Sequence, residues 1–236
     1  MRSDSKAARP IPLALTALVA LFSALVALAL SSGMNMAQAH GNPAMHHGDE
    51  HTRATLTPKA VAFEMQMRKL WEDHITWTRL AIVSFAGNLP GLQATEARLL
   101  ANQTDIGNAI KPYYGRTAGN RLTALLKEHI LGAVALLQAA KSGDSSAITK
   151  ASAAWYANGN EVADFLHSAN PRNWGRAEMR AMMKTHLDQT LKEAQDRLTG
   201  NFAADIVDYE AIHRHILEMA DELSTGIMKQ FRRHFR

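Results

Sequence analysis

From Pro58 onward apolar positions recur at spacings of three and four, and no stretch alternates apolar and polar residues as a half-buried strand does. The pattern predicts an all-α chain. A first helix starts at Thr57, an N-cap followed by Pro58 at the first helical position, and carries Phe63, Met67, Leu70, His74, Trp77, Ala81 and Phe85 on one stripe. A second, over about 92 to 111, carries Leu99, Asn102, Ile106 and Ala109 and stops before Pro112. A third, about 117 to 142, carries Leu122, Leu125, His129, Ala133, Leu136 and Ala140, and closes on Lys141-Ser142-Gly143. The fourth (about 145 to 168) carries Ile148, Ala151, Trp155, Asn158, Val162 and Phe165. The fifth (about 175 to 199) carries Met179, Met182, His186 and Thr190. The sixth, about 203 to 231, carries Ile206, Tyr209, His213, Ile216, Ala220, Leu223 and Ile227.

One polar residue interrupts each stripe. His74, Asn102, His129, Asn158, His186 and His213 are separated by 28, 27, 29, 28 and 27 positions. A residue keeps its depth across an antiparallel hairpin when the turn lies halfway to its successor. Turn chemistry occupies each midpoint: Gly87-Asn88, Gly115, Gly143-Asp144, Pro171-Arg172-Asn173 and Thr199-Gly200. The six residues are therefore expected in one central layer. Similar short segments reinforce the register: Leu70-Trp71-Glu72-Asp73-His74-Ile75, Leu125-Leu126-Lys127-Glu128-His129-Ile130 and Met182-Met183-Lys184-Thr185-His186-Leu187. The expected architecture is an up-down antiparallel bundle of about six helices, built as three tandem hairpins in a single domain over 58–236. His stands on the first helix of each hairpin and Asn on the second, with His213 replacing Asn in the third.

The chain before the bundle changes the picture. Arg2, Lys6 and Arg9 precede an apolar run from Ile11 to Leu30, and Ala37-Gln38-Ala39 makes a cleavage pattern before His40. Residues 1–39 read as an export signal, placing the product in the periplasm or outside the cell, with an uncleaved anchor as the alternative. Residues 40–57 form a polar lead with no apolar period, read as disordered.

Composition narrows the chemistry. There is no cysteine, which excludes disulfides, thiolate zinc, iron–sulfur clusters and covalent haem attachment. A net charge of +4, spread over the leader, Arg172 to Arg180 and Arg232 to Arg236, makes no clustered nucleic-acid footprint along the sequence. No G-x-S-x-G, H-E-x-x-H, P-loop or G-x-G-x-x-G motif occurs, and no turnover chemistry is expected.

The central layer then admits two readings. In one, His74, His129, His186 and His213 converge on a transition-metal ion, as bundles build metal sites from inward side chains on facing helices. Asn102, Asp105, Asn158, Glu161 and Glu210 stand at helical spacing to orient the ligands. Met182 is a candidate thioether ligand. An amino-terminal His40, with Met45, His46, His47 and His51, offers a second site, and its soft thioether and imidazole donors favour copper over zinc. The other reading is a metal-free structural or interaction bundle whose buried His/Asn layer fixes helix register. A bundle binding haem or a small molecule is a further alternative. Protein partners are not indicated.

Trp71 through Arg79, Asp105 through Gly115, Trp155-Tyr156-Ala157-Asn158 and Gly226 through Phe231 together resemble a group of bacterial all-helical proteins, many exported, of unsettled function. The resemblance spans about 60 to 231 and implies an all-helical fold. Some members carry a glycosyltransferase label. Sugar-nucleotide transfer is usually built on an α/β sheet or a multi-span membrane fold, and this chain has no Asp-x-Asp pair to hold a nucleotide–metal complex.

Overall fold

The computed structural model describes residues 56–236; the expected signal, and the lead with His40, His46, His47 and His51, lie outside the described residues. The described chain is all helical: α1 (Pro58–Ala86), α2 (Leu92–Ser142), α3 (Ser145–Ala169), α4 (Arg176–Thr199), α5 (Phe202–Gln230) and a closing 3₁₀ turn (Arg232–Phe235). Among the described residues there is no strand. Helix ends follow the local chemistry. The Thr57 side chain accepts from the Ala60 N–H ahead of Pro58, and Asp144 accepts from Ser146 and Ala147. Gly143 and Gly200 end α2 and α4 in left-handed conformations.

Five helices stand where the pattern suggested about six. The difference lies at Gly115, which interrupts α2 with φ 83 and ψ 170. These angles belong to a region that essentially only glycine enters. The two limbs of α2 then face each other: a Cβ on Gly107 would fall 2.6 Å from the Gly119 carbonyl oxygen. In a straight helix those residues would stand about 18 Å apart. The backbone thus turns back at Gly115, where a hairpin was expected.

Successive helices pack on one another, α5 closes the ring onto α1, and α1 touches α4 across the middle. Phe63, Met67, Ile75, Ile106, Leu125, Ile148, Trp155, Val162, Leu187, Ile216 and Leu223 fill the interior. Among the described residues, α2 alone is long and apolar enough to cross a membrane. It is folded back on itself at Gly115, and residues of both limbs enter this core.

Candidate functional site

Three of the four histidines singled out above meet in the interior. His74, His129 and His186 are 2%, 4% and 3% exposed. The His186 ring contacts both others, with centroids 5.7 Å from His74 and 5.8 Å from His129. Trp155 stacks on His129 at 5.3 Å, and Trp71 meets His74 edge-on at 5.7 Å. Burial in this apolar setting holds the rings uncharged. The pKa of His74 falls to about 3, from burial first and the neighbouring His129 second, and that of His129 falls to about 4 through burial. Burial also drives His186 well below the ordinary imidazole range, helped by His74, His129 and His215.

Each hairpin supplies the same polar fixture. Asn102 donates to the Leu70 carbonyl at 3.0 Å, and Asn158 donates to the Leu125 carbonyl at 3.2 Å. Both carbonyls belong to the residue four before the hairpin's histidine. Asn158 also receives: its Oδ1 lies 3.2 Å from His129 Nδ1, so His129 carries its proton on Nδ1 and leaves Nε2 bare. In the first hairpin two residues share that work. Gln103 Nε2 lies 3.2 Å from His74 Nδ1 and has two closer acceptors, the Leu99 carbonyl at 2.8 Å and Asn102 Oδ1 at 3.1 Å, for its two hydrogens.

The third hairpin uses His215. Its Nε2 lies 3.0 Å from the carbonyl of Met182, again four before the histidine. An asparagine can donate and accept at once, whereas the one N–H of a neutral imidazole is used up on that carbonyl. His186 Nδ1 is accordingly buried with no hydrogen-bond partner, as is Gln103 Oε1. Such atoms cost about 1–3 kcal/mol each.

His213 stands apart from the cluster. It is part-buried, stacks on Tyr209 at 5.8 Å, and its Nε2 lies 2.7 Å from Glu72 Oε1. The expected orienting carboxylates are also elsewhere. Asp105 and Glu161 are exposed and pair with Arg98 at 3.5 Å and Arg121 at 3.7 Å, and Glu210 is exposed. Asn102 and Asn158 do lie in the layer. Met182 is half-buried and enters the fixture through its carbonyl.

One turn or two away, a buried charge cluster escaped the sequence reading. Arg79 bonds Glu193 at 2.9 Å and grips Asp205 with two nitrogens, while Arg197 reaches Asp205 at 3.4 Å. Glu193 and Asp205 are fully buried. Burial raises the Glu193 pKa to about 7 against the pull of Arg79, and its Oε2 has no partner. Glu193 lies seven after His186 through Thr190, so the inward stripe of this helix did contain a glutamate.

Among the described residues no three or more His, Asp or Glu side chains are arranged to hold a metal ion as the rings stand. Apolar cavities of about 20 and 50 Å³ flank the layer, the first beside Trp71 and Met183, the second beside Thr78 and Trp155. They have room for water-sized groups only.

Fold and site together define an all-α helical bundle with a buried, uncharged histidine layer. Comparison with known protein families, curated proteins and solved structures finds no match for the chain.

Proposed function

We infer that this bundle binds a transition-metal ion through His74, His129 and His186, with His213 outside the ligand set. The carrying observation is the meeting of three buried, neutral imidazoles from separate hairpins, His186 touching both His74 and His129. Only neutral imidazole ligates, so the depressed pKa values remove proton competition down to acidic pH. Two rings sharing one ion with metal–nitrogen distances of about 2.0–2.1 Å have centroids about 5–6 Å apart, the spacing seen here. His129, with Nδ1 held by Asn158, is set up as an Nε2 ligand in the usual manner. His74 must turn beside Gln103 to present a bare nitrogen to the ion, which accounts for a donor set not assembled beforehand. With imidazole donors and no thiolate, copper and zinc are the leading ions, copper ahead if His40, His46, His47 and His51 contribute a second site. The role is metal handling or sensing after export by the N-terminal signal.

The metal-free structural reading is favoured by a different observation, the repeated side-chain bond to the carbonyl four before each histidine. That bond fixes register in all three hairpins without an ion. Elemental analysis of tag-free protein after metal incubation and desalting separates the two readings. Bound copper or zinc near one per chain that is lost in His129→Gln/His186→Gln supports the site. Absence of metal in the folded wild type leaves the register layer alone.

A further inference from the structure

The positive charges that look scattered along the sequence are gathered by the fold at one end of the bundle. The Gly115 bend, the α3–α4 turn, the start of α1 and the C-terminus meet there. Thr57 Oγ1 donates to the Phe235 carbonyl and Lys59 to that of Arg236. Tyr114 donates to Gln230, and Gln230 to the Ala169 carbonyl. Phe63, Tyr113 and Phe235 pack ring on ring beneath them.

Segments 57–62, 110–121, 164–180 and 226–236, which make this end, hold eleven Lys and Arg against two carboxylate side chains, Asp164 and Glu178, with Glu161 just beyond them on Arg121. The opposite end, 81–98, 136–150 and 190–208, holds five against six. Asp164 is spent on Arg176 and Arg180. Arg116, Arg172, Arg232, Arg233 and Arg236 are exposed and enter none of the ion pairs among the described residues.

We propose that this basic end docks on an anionic phospholipid surface, holding the bundle with its axis raised from the bilayer. The chain argues for lipid over other polyanions. It leaves the bundle from this same end, at Leu56, toward the apolar run Ile11–Leu30. With the run kept as an uncleaved anchor, the alternative to cleavage, the basic end is the one from which the bundle is tied to the bilayer. Clustered Lys and Arg beside an apolar membrane segment bind anionic headgroups additively, about fivefold per cation.

The test is co-sedimentation of the full-length protein with vesicles of phosphatidylcholine alone or mixed with phosphatidylglycerol, at low and high salt. Wild type is compared with Arg172→Gln/Arg232→Gln/Arg233→Gln, exposed positions whose loss leaves the core intact. Arg2, Lys6 and Arg9 beside the apolar run are common to both proteins, so the difference between wild type and the triple variant on anionic vesicles reads the basic end. The expected result is a preference for anionic vesicles of about tenfold or more that salt abolishes, cut by up to about a hundredfold in the triple variant. Equal partition onto both vesicle types, or an unaffected triple variant, overturns the proposal. So does tight binding of RNA or duplex DNA at a salt concentration where anionic vesicles are ignored.

Discussion

His215 donates from Nε2 to the carbonyl of Met182 at 3.0 Å, in the place where Asn158 donates to Leu125 and Asn102 to Leu70. The exchange of an amide for an imidazole at this place is what strands His186 Nδ1. His215→Asn should restore both bonds, as the identical 29-residue offset holds for His129 and Asn158. Metal-free protein should gain about 1 kcal/mol, raising its melting temperature by about 2–4 °C. A loss of stability in this variant would show that the repeat does not carry over to the third hairpin.

Acid should unfold the metal-free bundle. His74 and His129 have folded pKa values of about 3 and about 4, below the unfolded value of about 6.5, and His186 shifts the same way. Below about pH 6.5 the unfolded chain takes up protons that the folded chain refuses, so stability rises with pH across this window. Each histidine contributes a slope of about 1.4 kcal/mol per pH unit. Denaturant titrations at pH 7, 6 and 5 should show the midpoint fall steeply toward the acid side; a flat profile would mean the rings are not buried.

Glu193 works in the opposite sense. Its folded pKa of about 7 lies above the ordinary carboxyl value, so the folded state holds the extra proton, and this stabilising term is lost as pH rises through 7. Glu193→Gln should cost less than about 1 kcal/mol at pH 6 and become favourable above pH 7.5. Arg79→Ala leaves buried Asp205 and Glu193 short of a counter-charge and should cost about 3–5 kcal/mol. Equal costs for the two variants would contradict this division of charge.

The fold-back of α2 rests on two glycines that meet. Gly107→Ala drives a methyl into Gly119 backbone and the Thr123 hydroxyl and should cost about 2–3 kcal/mol. Gly115→Ala has open space around it and pays only for a positive-φ, extended-ψ backbone, about 1–3 kcal/mol. Thermal unfolding of the two single variants measures both costs; a Gly107→Ala variant as stable as wild type would argue against close limbs.

Helix ends were legible because caps and turn residues act locally: Thr57-Pro58, Gly143-Asp144 and Thr199-Gly200 each sit at a boundary. The depth of His74, His129 and His186 was legible from spacing. The rotation of α5 was not. Its apolar pattern suggested Ile206, Tyr209 and His213 as inward, yet Ile206 is 58% exposed and Asp205 is fully buried. A charge pair with Arg79, formed across 126 residues of sequence, sets that rotation and carries no local signature. Turned in this way, α5 presents His215 to Met182 and leaves His213 beside Glu72. Asp105 and Glu161 each precede a buried residue, Ile106 and Val162, and the helix turns their carboxylates outward.

The most direct test is copper or zinc titration of the tag-free protein, by calorimetry with elemental analysis, beside His186→Gln and His213→Gln. The account predicts about one tightly held ion in the bundle, lost with His186→Gln and retained with His213→Gln. Full binding in His186→Gln, or none in folded wild type, would contradict it.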